Sequence, residues 1–526
     1  MAANQNTLLS VDDFARHVHR DPHDVLRQLH QGEIAGQLID NTWYVNANAL
    51  HQTEQVSQQV SAATTVMLAA ANMHWREIFD AFHARRSMPL KASTPEFGLD
   101  IGMVEAEVMR AKRKAFWFDL VIGIAALYGL AILVGMLTGQ QADLVVPDDS
   151  GAVSAEGKLF LAWAVIAVAD FIYHRNALAR ARALLAHPPL AADANSIDQD
   201  SDRNVTVSGG YAPFVGSGID IGGWSFTVNL GEPDTEGGQA EPVTVTDLYD
   251  ETRQALRKLS IPTMAVRDEI FVDGRDVRGV DILLPEGPFA CPVERINPDI
   301  IAHRIGDNDN VLRHYKVIRL QLWNGQMILS TMFRYVILTD TLFVEAKTRL
   351  LTPVKEKFLK MQNLPLISVP WERLADAFSS AVRALVIWIP VLLRGIAFIQ
   401  GQFLLTKKRR LKINVKEIQS NWKYNYGWST SLRETWASEN YSRYFQMIDQ
   451  DFYSKMVKES LLDSLLKSLE RRHISTESLK SASTKIYNEG VIINGGAVRA
   501  DSIAAGKGAQ ATVQNFVRGA QNSVKA

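Results

Sequence analysis

Few side chains in this chain combine a reactive type with a useful spacing. His303, Asp307 and Asp309, in IIAHRIGDNDN, form a local group for a cation or for general acid–base work, although Asp–Asn–Asp–Asn is also a turn sequence. Cys291, in FACPVERI, could act as a nucleophile beside His303 or stand as an inert thiol among apolar neighbours. The glycines between Gly216 and Gly223, in GSGIDIGG, could turn backbone N–H groups toward an anion or mark strand bulges. Asp119 and Asp170 lie inside apolar stretches, where a carboxylate either relays protons or ions or reaches interfacial water and nearby arginines. Trp224, Trp323 and Trp388 read as core or interface anchors rather than as a ligand cage. The sequence contains no GxxxxGK(S/T), no GxGxxG after a strand, no HExxH and no GxSxG, so the commonest nucleotide, zinc-protease and hydrolase chemistries have no local signature. No cofactor and no metal are expected.

Composition narrows the class further. With 526 residues the chain exceeds a single domain. Its 56 Lys and Arg against 57 Asp and Glu exclude a nucleic-acid-coating polycation and an acidic disordered chain. A single cysteine leaves no intramolecular disulfide and too few thiolates for a zinc cluster, consistent with a bulk that faces a reducing cytosol.

The elements that must position any function include two apolar stretches. FWFDLVIGIAALYGLAILVGMLT, from Phe116 to Thr138, reaches about 30 Å as a helix, the thickness of the hydrocarbon core. LFLAWAVIAVADFIY, from Leu159 to Tyr173, is shorter. Arg110, Lys112, Arg113 and Lys114 precede the first stretch, and His174, Arg175, Arg180 and Arg182 follow the second. The connecting loop carries Asp143, Asp148, Asp149 and Glu156, with Lys158 as its only base. By the positive-inside rule, residues 111–185 read as a two-helix transmembrane hairpin with both ends in the cytoplasm, Asp119, Asp170 and Arg175 lying at that interface. Ala125 with Gly129 and Ala131 with Gly135, small residues four apart, predict close helix packing. The opening residues lack a basic head followed by an apolar run, so the first hydrophobic helix is expected to direct insertion itself.

A third apolar stretch, Ala384 to Leu405, holds Arg394 near its centre and Pro390. Arg383 and Arg394 stand eleven apart, three helical turns, on one face. Followed at once by Lys407, Lys408, Arg409, Arg410 and Lys412, residues 366–415 read as a kinked amphipathic helix lying on an anionic inner leaflet, with a third crossing or a buried core helix followed by a basic loop as the alternatives.

Ahead of the hairpin, Ser10 and Asp13 mark one helix start, Asp21 and Pro22 another, and Gly32 a stop. Gln37 to Ile39 and Trp43 to Val45 flank the turn-forming Asp40, Asn41 and Thr42. In LSVDDFARHVHRDPHDVLRQLHQGEIAGQLIDNTWYV this order resembles a winged helix-turn-helix of the excisionase or MerR type over residues 1–48, which implies a DNA-binding fold. The charges point elsewhere: Asp12, Asp13, Asp21, Asp24, Glu33 and Asp40 outnumber Arg16, Arg20 and Arg27, which disfavours nucleic acid and favours a docking module for a protein partner. Residues 50–110 read as a helical stalk.

Beyond a polar linker at 186–204, residues 205–365 read as an α+β cytosolic domain. TVTDLYDETRQALRKL is a helix, EIFVDG and VDILLP are strand-like, and Asn324–Gly325 between alternating apolar runs predicts an antiparallel meander ending in TLFVEAKTRLL. Residues 416–482 are helical, with LLDSLLKSLERR amphipathic, and 483–526 form a short glycine-rich β tail that must dock on another surface or on copies of itself. The run from NYGWSTSLRETW to INGGAVRADSIAAGKGAQA, residues 425–511, resembles the C-terminal part of a group of uncharacterised bacterial membrane proteins, chiefly actinobacterial. That likeness implies a bacterial membrane setting and no particular chemistry.

The sequence therefore predicts an α+β multidomain integral membrane protein of the bacterial inner membrane, with both termini cytoplasmic and an anionic lipid membrane as partner. Its expected role is a membrane-anchored sensor, scaffold or effector that oligomerises, with stress or phage defence as one setting. The alternatives are a membrane-bound transcription regulator using the winged helix and a membrane-anchored enzyme with a site in 205–354.

Overall fold

A computed structural model of the chain describes residues 8–11, 36–39, 42–46, 60–138, 154–189, 203–234, 239–365, 370–387, 389–393 and 407–481. In order, the described elements are strands β1 (Leu8–Ser10), β2 (Gly36–Ile39) and β3 (Thr42–Asn46), then helices α1 (Ala62–Met73), α2 (Trp75–Ser87), α3 (Ile101–Thr138) and α4 (Ala155–Ala186). Strands β4 (Val205–Ser208) and β5 (Ile219–Asn229), helix α5 (Val245–Lys258), β6 (Met264–Asp273), α6 (Pro298–Ala302), β7 (Arg313–Leu322), β8 (Met327–Leu338) and β9 (Thr341–Leu351) follow. Helices α7 (Glu356–Leu359), α8 (Pro370–Arg383), α9 (Lys407–Ser420), α10 (Leu432–Thr435) and α11 (Tyr444–Glu470) complete the series. The chain forms two compact units, one from the described parts of 1–75, 99–201 and 364–388, the other from those of 76–98, 202–363 and 389–526.

In the first unit β2 and β3 pair as the expected antiparallel hairpin, and β1 joins β3 on its other side. The two helices read between Ser10 and Gly32 lie outside the described residues. The stretch read as a stalk divides at His74, which closes α1 by donating its backbone N–H to Ala70 O at 2.7 Å. Ser61 caps the start of α1, its Oγ accepting from Thr64 N at 3.0 Å. Val66, Met67, Leu68 and a run of alanines make α1 apolar all round, so it is buried on nearly every side against α3 and α4. One polar cluster is buried there: Glu107 accepts from Asn72 Nδ2 at 3.1 Å and from Arg180 Nε at 3.2 Å.

Helices α3 and α4 run antiparallel, as three levels show. Glu107 meets Arg180, Phe118 packs on Tyr173 with ring centroids 5.5 Å apart, and a Cβ built on Gly129 would lie 3.4 Å from Ala162 Cβ. Among the described residues α3 alone is long and apolar enough to cross a membrane.

The second unit is built on a six-stranded sheet of order β4-β6-β7-β8-β9-β5, with β4 parallel to β6 and every other pair antiparallel. The expected meander is β7–β8–β9. Its first turn passes through Trp323, Asn324 and Gly325 at φ of 54°, 50° and 78°, the left-handed region that Asn–Gly tolerates. Strand alternation sends Ile318, Leu320, Leu329, Phe333, Tyr335 and Val344 to one face, where α5 and α11 cover them with Leu248, Leu256, Leu461 and Leu465. Thr244 begins α5 with a full capping box to Asp247, as the Thr–Val–Thr–Asp sequence requires.

Two expectations need correction. VDILLP is not a strand: residues 281–284 form turns, and Leu283 and Leu284 are both buried, which consecutive residues of a one-sided strand cannot achieve. No continuous helix begins at Ala384; α8 ends at Arg383, residues 384–387 turn, and 389–393 resume, as Pro390 with its missing N–H permits. Residues 394–406, Trp388 and the glycine-rich tail at 483–526 lie outside the described residues.

Candidate membrane-facing site

In α3 the residues from Phe116 to Thr138 turn large apolar side chains outward, among them Trp117 at 65% exposure, Ile124 at 61% and Leu137 at 79%. Helix α4 does the same with Phe160, Leu161, Val165 and Val168. Apolar surface on this scale marks a contact with lipid or protein. The inner seam is narrow and aliphatic: Ile122, Ala125 and Ala126 are buried on α3, and Ala162, Ile166 and Ala169 on α4. Of the small residues singled out above, Ala125 and Gly129 lie in this seam, whereas Ala131 is exposed and Gly135 half-buried.

At the end of the helix pair nearer Glu107 the apolar surface gives way to aromatic and cationic groups. Trp75 Nε1 donates to Tyr173 Oη at 2.9 Å, Phe118 packs on Tyr173, and the Arg175 guanidinium lies 5.8 Å from the Phe171 ring centre. Arg113 and Lys114 are exposed, and Lys112 and Asp119 half-buried. Amphipathic rings beside cations are what a bilayer interface selects.

Asp170 stands in this region with its side chain only 3% exposed. Its Oδ2 accepts from Arg383 Nε at 3.0 Å and from Arg383 Nη2 at 2.8 Å. The same guanidinium donates to Ser379 Oγ at 3.2 Å and to Ser380 Oγ at 2.9 Å, so four hydrogen bonds fix it. Helix α8 is tied to α4 once more where Trp163 Nε1 donates to Ala381 O at 3.2 Å. Its opposite stripe is bare: Trp371, Leu374, Phe378 and Val382 are 77%, 64%, 73% and 52% exposed. The sequence reading placed a membrane-apposed amphipathic helix across 366–415 but centred it on the apolar run from Ala384 to Leu405; it did not separate α8 as a helix of its own, because the stripe is interrupted by Glu372, Arg373 and Asp376. The available signal was the i, i+3, i+7, i+11 spacing behind Pro370, a helix-starting residue.

The second unit holds the remaining candidates. His303 and Asp307 are exposed, and Asp309 pairs with Arg304 and accepts from Val311 N at 2.7 Å, so the three do not converge. Among the described residues no cluster of His, Cys, Asp and Glu could hold a metal. Cys291 is exposed as a residue, but its Sγ donates to Lys91 O at 3.3 Å, and desolvation of the thiol together with Glu294 pushes it above the usual value, opposite to what a nucleophile needs. Gly218 N donates to Glu434 Oε1 at 2.8 Å, so the glycine-rich turn faces a carboxylate rather than an open anion cradle. Trp323 Nε1 donates to Asp449 Oδ2 at 2.9 Å, and Trp224 stacks on Phe226 at 5.4 Å. Lys407 and Lys408 open α9, Arg409 is exposed, Arg410 Nη2 meets His83 Nε2 at 2.8 Å, and Arg394 is outside the described residues.

Sequence reasoning also missed a buried ionic cluster. Asp268 Oδ1 accepts from His314 Nε2 at 2.9 Å and Lys316 Nζ at 2.7 Å, drawn from neighbouring strands β6 and β7. Burial works to raise the Asp268 carboxyl, but the bonds to His314 and Lys316 overcome it and hold it at about 2. Burial wins at Lys316, which is pulled below its usual value despite that carboxylate; the burden of the pair falls on the lysine.

No curated protein and no solved structure matches the chain. The family model for the AbeC-like domain matches residues 223–499, from within β5 past the end of α11 and including α8. With more than half of its 526 residues matched, the chain belongs to the bacterial family defined by the AbeC-like domain.

Proposed function

We propose that this is a membrane-anchored protein in which α3 and α4 insert as a hairpin, with the aromatic and cationic end at the cytoplasmic face and the second unit in the cytoplasm. Its function is that of a sensor, scaffold or effector that oligomerises and works through membrane and protein contacts. One observation carries this reading: a belt of large apolar side chains on α3 and α4 is turned outward and bounded by Trp75, Tyr173, Arg113, Lys114 and Arg175. In water such a belt would be an aggregation liability; in hydrocarbon it is the ordinary outer surface. The apolar run of α4, Leu159 to Tyr173, is short for a span but is supported by its pairing with α3, and the seam of alanines against Gly129 permits the close approach that lipid-embedded helices use.

Single cysteines at Ser150, Ser260 and Ser502 in a Cys291→Ser background test the reading in intact cells. An impermeant maleimide should label position 150 only, with 260 and 502 reacting after the membrane is opened. Equal labelling of all three in unopened cells, or recovery of the chain in the supernatant of detergent-free lysates, would refute it.

A further inference from the structure

We propose that α8 is a third intramembrane element, a half-inserted helix whose Trp371–Leu374–Phe378–Val382 stripe faces lipid acyl chains and which the Asp170–Arg383 pair holds at that depth. The inference rests on the hairpin reading above and extends it to a segment more than 180 residues beyond α4 in sequence. Three observations carry it.

The first is the level of Asp170. Tyr173 packs on Phe118, inside the apolar run that begins at Phe116, and Asp170 lies nearly one helical turn deeper, about 4.5 Å. A carboxylate there, shielded from solvent on all but 3% of its side chain, needs a counter-charge at the same depth. Arg383 of α8 supplies it, so α8 cannot lie above the interface while the pair is formed.

The second is the tryptophan contact. Trp163 lies about 10 Å deeper along α4 than Asp170 and donates its indole N–H to Ala381 O, one of the last four carbonyls of α8. In hydrocarbon neither group has water to turn to, and each satisfies the other. Two polar ties therefore seat the C-terminal turn of α8 along this stretch of α4.

The third is the stripe itself. With α8 held at this level by its polar face, its opposite face is apolar and exposed at four positions on one side. Fourteen residues make a helix of about 21 Å, too short to cross, so α8 enters without spanning. Lipid fits this face better than a second copy of the chain because α8 packs on α4, whose own outward side chains at Phe160, Leu161, Val165 and Val168 are apolar and exposed as the stripe is, so one apolar medium covers both helices.

The test uses the full chain with Cys291→Ser, a single spin-labelled cysteine at Phe378 or at Ile124, and vesicles of phosphatidylethanolamine and phosphatidylglycerol. Collision with oxygen should exceed collision with a water-soluble nickel chelate at both labels. Arg383→Gln should lower that ratio several-fold at 378 and leave 124 unchanged, and the exchange Asp170→Arg with Arg383→Asp should restore it. If 124 is in lipid while 378 is in water, the inference falls and the hairpin stands; if both are in water, the hairpin falls as well. Spin–spin broadening at 378 would assign the face to a second copy and overturn the lipid assignment. A label at 378 still in lipid after Arg383→Gln would overturn the role given to the ion pair, and a label at Leu374 gives an independent reading of the stripe.

Discussion

Asp170 and Arg383 are 213 residues apart in sequence, yet two hydrogen bonds of 3.0 and 2.8 Å join their side chains. The pair fastens α8 onto α4 with the carboxylate buried and the guanidinium additionally bound by two serines. Asp170→Ala should destabilise the detergent-solubilised protein by about 3 kcal/mol, because it leaves a cation without its partner. Thermal unfolding followed by circular dichroism reads this, and an unchanged midpoint would show that the pair is incidental.

The seam between α3 and α4 gives a positional contrast. Gly129→Leu pushes a side chain into Ala162, already 3.4 Å from a built Cβ, and should cost about 1–3 kcal/mol. Ala131→Leu, on the exposed side, should change the midpoint little. Equal effects of the two would mean that the helices do not pack in this register.

Acid should expose the ionic cluster of the sheet. Asp268 titrates near 2 in the folded chain against 3.8 ordinarily, so the folded state binds fewer protons between these values. Its contribution, about 2 kcal/mol, is therefore complete above pH 4 and lost as pH falls through 2. Asp268→Asn should flatten that part of the stability profile measured by urea titration, and it should also lower stability at pH 7 by leaving Lys316 buried without its carboxylate.

Two glycines near the start of β5 should respond in opposite degree to alanine. Gly218 sits at φ 86°, and a Cβ there would come within 2.1 Å of Leu350 O, so Gly218→Ala forces the backbone apart and should cost more than about 3 kcal/mol. Gly222, at φ 141° beside the bulge, has nothing within 4 Å of the built Cβ, and only backbone strain of about 1–2 kcal/mol is expected. Urea midpoints of the two variants, measured on detergent-solubilised protein, decide it.

Much of the architecture was legible because its signals are local. Asn324–Gly325 between alternating runs can hardly be anything but a hairpin, Thr244 with Asp247 announces α5, and the apolar length of α3 is visible without any partner. VDILLP misled because its alternation is indistinguishable over six residues from two leucines buried by a turn. The site was legible only in half. The belt of α3 and the basic residues near Lys114 follow from composition, but the role of Asp170 depends on a residue brought from far along the chain, and short-range pattern carries no trace of it. The same holds for Asp268, His314 and Lys316, which meet only through the β6–β7 register.

The Asp170–Arg383 contact also links two stretches that sequence comparison treats separately, since the family match covers Arg383 and begins after Asp170. Neither position is then free to drift by itself. Where a homologue carries a neutral residue at one, its counterpart should have lost its charge too. A multiple alignment of full-length homologues would show this as correlated replacement between two columns, one inside the recognised domain and one ahead of it.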